Sequence, residues 1–126
     1  VDLKQVCFSG VHSDIGGSEP PDKNTGNSVS DLSLGWMLNE AKAADLKIEP
    51  YISSNLTNGV EAALHRSRNH IYRARKRLRR ELMVEDIPTK IHPSVKTRYE
   101  TDASYRPPKL EALVKKYSWN GLDVAD

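Results

Sequence analysis

Residues 6–17 read Val-Cys-Phe-Ser-Gly-Val-His-Ser-Asp-Ile-Gly-Gly. A short apolar run leads into His12, Asp14 stands two places on, and Gly16-Gly17 closes the segment. Histidine is the side chain best suited to moving a proton near neutral pH. A general base also needs an orienting partner and a nucleophile within hydrogen-bond reach. Across a turn, Asp14 is placed to be that partner. His12 and Asp14 are therefore the candidate catalytic pair. The plainer alternative is a loop histidine satisfied by backbone groups.

The nucleophile is not evident. A Gly-x-Ser-x-Gly elbow would mark one. Gly26-Asn27-Ser28-Val29-Ser30 lacks the closing glycine and has no strand before it, so Ser28 reads as a loop serine. Metal chemistry finds little support. On a helix, His65 and His70 would point about 140° apart, a poor ligand pair. Asp22, Asn24 and Asn27 share a polar loop, but no glycine and closing glutamate fall in a calcium-loop register. No metal and no cofactor is expected.

A third feature is a run of charge. Eight basic side chains fall between Arg66 and Arg80 without one acid. They include Arg73, Arg75, Lys76, Arg77, Arg79 and Arg80. A solvated helix face is the default explanation. An anionic membrane surface or nucleic acid phosphates are the functional alternatives. Tyr72 alone interleaves an aromatic ring, and nothing resembles a helix-turn-helix or zinc-finger module, so nucleic acid is not favoured.

The elements that must position these groups follow from pattern. Leu3 to Ser9 reads as a mostly buried strand. Residues 18–29 hold two prolines and Gly26 and read as a loop. Ser30 opens a helix with Asp31 in its first turn. Leu34, Met37, Leu38 and Ala41 form its apolar face, widened by Leu32, Trp36 and Ala44, and Pro50 bars its continuation. Residues 51–59 look irregular. A second helical pattern runs from Val60 to Met83 on a narrow stripe of Leu64, Ile71, Ala74, Leu78 and Leu82. Ile91 to Val95 and Tyr105 to Pro108 look extended or turned, and Leu110 to Tyr117 fits a short helix or strand.

Bulk properties set bounds. A chain of 126 residues is one domain or a piece of one. With 37% apolar and 29% charged residues, its core is thin. Cys7 is the single cysteine, which precludes an internal disulfide. No stretch approaches the roughly 20 apolar residues that span a bilayer, and no apolar leader is evident. A cytoplasmic location before any secretion is the expectation. The chain starts at Val1 and enters a strand almost at once, as expected for a segment of a longer protein.

Residues 6–17 resemble the α/β hydrolase family typified by type VI secretion phospholipase effectors, in which a strand Val-Trp-Phe-x-Gly precedes Val-His-Ser-Asp-Val-Gly-Gly. Val29 to Leu38 resembles the family's next block, Leu-Ser-Asp-Ile-Ala-Leu-x-Trp-Met. A later block is similar to Ile91-His92-Pro93-Ser94-Val95 through Leu110. Cys7 stands where the family commonly has Trp, and Ser18 replaces a third glycine. His65-Arg66-Ser67 stands where His-Asp-Ser is common.

The resemblance implies the C-terminal portion of an α/β-hydrolase-like domain. Residues 1–50 would end the core with a strand, the histidine loop and a helix; residues 51–126 would form a basic and irregular extension. It implies that His12 is the triad histidine, with serine and acid upstream of Val1, and that Asp14 shapes the loop or serves in catalysis. The function implied is serine-dependent hydrolysis of an ester, of lipid type, with the isolated segment inactive. Its partners would be the lipid or ester substrate, an anionic membrane surface and the remainder of the hydrolase domain. The alternatives are a binding module using residues 66–80 and an inactive structural remnant with open strand edges.

Overall fold

Helices and one pair of three-residue strands make up the regular structure of the computed structural model, which describes residues 3–66, 89–122, 124 and 125. The elements are β1 (Gln5–Cys7), α1 (His12–Gly16), α2 (Ser30–Ala43), α3 (Pro50–Ser54), β2 (Thr89–Ile91), α4 (Pro93–Thr101) and α5 (Pro108–Tyr117). A 3₁₀ turn, Trp119–Gly121, follows α5. This is a mixed, roughly α/β arrangement. The chain divides into two units: Val1–Ser9 with Ala74–Asp126, and Gly10–Arg73.

In the first unit β1 and β2 pair in parallel, with Gln5 opposite Thr89 and Cys7 opposite Ile91. A bridge from Ile91 to Val124 extends the pairing on the other side of β2. Parallel neighbours need a long crossover, and the 81 residues between Cys7 and Thr89 supply it. The strand expected over Leu3–Ser9 is shorter at both ends: Leu3 is exposed, and Gly10 turns the chain away with φ of +125°. Ile91, Val95, Leu110 and Leu122 form the core, with Tyr99, Leu113 and Trp119 packed against it.

Residues 91–95, expected to be extended or turned, instead pass from a strand into a helix. His92 is the reason. Its Nδ1 accepts from the Ser94 amide at 3.2 Å, capping α4, while Pro93 takes the first turn, where no amide is needed. The ring stacks on Phe8 with centroids 4.5 Å apart. Burial pushes its pKa below the ordinary histidine value. In α5, Leu110 faces the core and Lys115 reaches Glu111 on the outer side at 3.3 Å.

In the second unit α2 starts at Ser30, as expected, but no side chain caps it. Asp31 is engaged elsewhere: its Oδ2 accepts from the Thr57 amide at 2.7 Å and from the Thr57 hydroxyl at 2.6 Å. The helix ends at Ala43 rather than running to Pro50. Asp45 takes a left-handed φ of +60°, and the amides of Asp45 and Leu46 bond back to Lys42 and Ala41. Pro50 then opens α3 within a segment expected to be irregular.

The apolar face of α2 is also rotated from the one expected. Leu38 is buried, whereas Leu34 and Met37 are exposed. The packed side runs through Leu32 and Gly35 onto Leu56–Gly59. A β-carbon at Gly35 would meet Leu56 at 3.3 Å, and one at Gly59 would lie 2.6 Å from the Ser28 carbonyl. The helix expected from Val60 does not begin there, since residues 60–62 turn and 63–66 carry no regular structure. The amides of Ala63 and His65 donate to the carboxylates of Asp22 and Asp14 instead of to helical carbonyls. The rest of that expected helix lies outside the described residues.

Candidate functional site

Gly10 is where the site begins. Its positive φ and missing side chain allow Asp14 to fold back over it; a β-carbon there would stand 2.8 Å from the Asp14 Cβ and 3.1 Å from Oδ2. The chain then enters α1. Val11 precedes the helix and has no side-chain acceptor, so the cap is one-sided: the Val11 amide donates to Asp14 Oδ2 at 3.0 Å. Gly17, left-handed at φ +76°, ends the helix. The Ser33 hydroxyl, within 2.8 Å of the Ile15 carbonyl, ties α2 to the end of α1.

The geometry buries Asp14 to 2% exposure. An ionised carboxylate survives such burial only with donors around it. It has them. His65 Nδ1 lies 2.7 Å from Oδ1, and the His65 amide donates to Oδ2 at 3.2 Å. The imidazole is about a third exposed, and its Nε2 is 3.7 Å from Glu19 Oε2. The Asp14 hydrogen bond lifts the His65 pKa above its ordinary value, against a smaller desolvation that lowers it, with the charges of Glu19, Asp14 and Asp22 adding to the rise.

Asp22 holds the surrounding loop in place. Its Oδ1 accepts from the amides of Asn24 and Thr25 at 2.8 and 3.0 Å, and its Oδ2 from Ala63 at 3.0 Å. These donors hold its carboxyl below the usual range, the Ala63 amide contributing most. Glu61 accepts from Asn27 and Asn58 at 3.3 and 2.8 Å, a second tie between loop and segment. The result is a shallow cleft lined by Asp14, Glu19, Asp22, Asn27, Ser30 and His65 among others.

This arrangement can hold one imidazole in a fixed tautomer. An ionised carboxylate only accepts, so the neutral ring keeps its proton on Nδ1 and leaves Nε2 as the basic nitrogen. His12 sits differently. It is the first residue of α1, exposed, and has no polar partner among the described residues. The structure therefore joins Asp14 to His65 rather than to His12. In the sequence, His65 reads only as half of a poor metal-ligand pair with His70 and as part of a block that departs from the family's His-Asp-Ser. One signal points to it: in the hydrolase order the acid precedes the histidine in the chain, as Asp14 precedes His65. Among the described residues no group of three or more His, Cys, Asp or Glu is arranged to hold a metal. Arg73, Arg75, Lys76, Arg77, Arg79 and Arg80 lie outside the described residues.

Residues 1–40 match the family model of the Tle1-like phospholipase effector catalytic domain of the type VI secretion system. That match agrees with the family the motifs resemble. It spans β1, α1 and most of α2, and so contains His12 and Asp14 but not His65. A segment of 49 residues is 43% identical to the uncharacterized protein YEL023C of Saccharomyces cerevisiae, covering 39% of this chain and 7% of the yeast protein. No solved structure matches the chain. Among the described residues, no helix is long and apolar enough to cross a membrane.

Proposed function

We propose that this chain is the C-terminal part of a serine-dependent ester hydrolase of the α/β-hydrolase type, with Asp14 and His65 as its acid and base. The observation that carries the reading is the 2.7 Å contact from buried Asp14 to His65 Nδ1, which leaves Nε2 on the cleft side. A phospholipase-like activity on lipid esters is supported by the family match over residues 1–40. The nucleophile is a serine outside these 126 residues, giving the chain order serine, acid, histidine found in α/β hydrolases.

In this mechanism Asp14 fixes the Nδ1–H tautomer. The Nε2 lone pair takes the serine hydroxyl proton as the oxygen attacks the ester carbonyl. Asp14 stabilises the resulting imidazolium, which returns the proton to the leaving alcohol. Water then enters by the same route and releases the acid. The basic stretch around Arg73 to Arg80 would hold the enzyme at an anionic lipid surface.

Hydrolysis of phospholipid vesicles and short-chain p-nitrophenyl esters by the full-length polypeptide tests this. His65→Ala and Asp14→Asn are expected to lower kcat/KM by about 10³–10⁴. His12→Ala, exposed on α1 and not among the residues that line the cleft, is expected to cost less than about tenfold. Loss of activity in His12→Ala with retention in His65→Ala would return the base to His12. Absence of ester hydrolysis in the unmodified protein would end the hydrolase reading.

A further inference from the structure

We propose that Glu19 is a proton-dependent latch on His65: its carboxylate holds the imidazolium from the Nε2 side and lets go when the ring becomes neutral, opening that nitrogen to a hydroxyl. The proposal deepens the Asp14–His65 reading and rests on it.

The geometry is two-sided. Asp14 Oδ1 meets Nδ1 at 2.7 Å, and Glu19 Oε2 stands 3.7 Å from Nε2. A protonated ring donates from both nitrogens and suits two carboxylates. A neutral ring cannot suit both. Buried Asp14 keeps the Nδ1 proton, so the Nε2 lone pair then faces the lone pairs of Glu19, and the contact turns from attractive to repulsive. The two carboxylates differ in freedom. Asp14 is enclosed and also bonded to the amides of Val11 and His65. Glu19 is partly exposed and meets no other polar partner among the described residues. Its backbone stands just ahead of the turn that Asp22 pins, so the side chain can swing without disturbing the loop.

The place Glu19 takes is the one a nucleophile needs. A serine hydroxyl must hydrogen-bond to Nε2 to be activated. Glu19 therefore competes with the serine only while the ring is charged, when the base is inactive in any case. The charged groups facing His65 among the described residues are Asp14, Glu19 and, farther off, Asp22.

The test is a ¹H–¹⁵N NMR titration of the imidazoles in the full-length polypeptide. In Glu19→Gln the His65 midpoint is expected to fall, because an exposed ion pair to the protonated ring is lost. Salt should shrink the difference, nearly abolishing it at about 1 M, where the screening length is roughly 3 Å. A midpoint unmoved by Glu19→Gln overturns the latch. Asp14→Asn separates the two ideas. A midpoint that drops in Asp14→Asn but not in Glu19→Gln spares the acid–base pair and sinks the latch. The reverse pattern removes the pair on which the latch depends. In the full-length polypeptide, the acid limb of the kcat/KM profile in Glu19→Gln should move to lower pH, and an unmoved limb counts against the latch.

Discussion

Replacing Gly10 with alanine tests the architecture at its tightest point. The new β-carbon would sit 2.8 Å from the Asp14 Cβ, 3.1 Å from Oδ2 and 3.4 Å from Cγ. Real β-carbons do not approach so closely, and the neighbour is a short side chain held on three sides. The backbone adds a second cost, since φ of +125° is a region nearly reserved for glycine. Strain of this kind costs about 1–3 kcal/mol. Moving Asp14 to relieve the clash would loosen its bonds to Val11 and His65, and a hydrogen bond to a charged group contributes about 1.5–3 kcal/mol. The two costs are alternatives in part, so the expected loss is about 3 kcal/mol. For a chain of this size that lowers the melting temperature by on the order of 10 °C. Urea and thermal unfolding read the loss. An NMR titration reads its cause, since the His65 midpoint should fall with Asp14 displaced. A Gly10→Ala protein within about 0.5 kcal/mol of the parent, with His65 unmoved, would refute the close packing of Asp14 on Gly10.

Further predictions concern pH and the end of α2. His65 has its folded pKa raised above 6.5, so its stabilising contribution is full below that pH and is lost as pH rises through the folded value. The stability deficit of His65→Gln in urea should therefore shrink as pH climbs above neutrality. His92 behaves oppositely: its folded pKa is depressed, so its contribution is full above 6.5 and is lost as pH falls toward the folded value. His92→Asn, which keeps a capping acceptor for α4, should flatten the acid side of the stability profile. Asp45→Gly should stabilise by about 1 kcal/mol in thermal unfolding, because a left-handed residue at a helix end is cheapest as glycine.

Local chemistry was legible where neighbours in sequence decide the structure. β1, the proline-broken loop of 18–29, the start of α2 at Ser30 and the helical option for Leu110–Tyr117 all follow from pattern. Asp14 was legible as a candidate because it stands two places beyond a histidine, ahead of a glycine pair. What escaped depends on partners distant in the chain. His65 meets Asp14 across 51 positions, and no periodicity records such a pairing. The same holds for residues 60–66, where the amides of Ala63 and His65 are drawn to Asp22 and Asp14 rather than to helical carbonyls. The face of α2 was misjudged for a related reason. Apolar residues surround most of that helix, so only the glycine contacts at 35 and 59 decide which side packs.

The most direct measurement is the ring state of His65 in the unmodified chain and in Asp14→Asn, followed by imidazole ¹⁵N shifts against pH. The expected result is a midpoint above 6.5, a neutral form protonated at Nδ1, and a clear fall of the midpoint when Asp14 becomes Asn. A ring that titrates at its ordinary value, protonated at Nε2 and indifferent to Asp14→Asn, would contradict it.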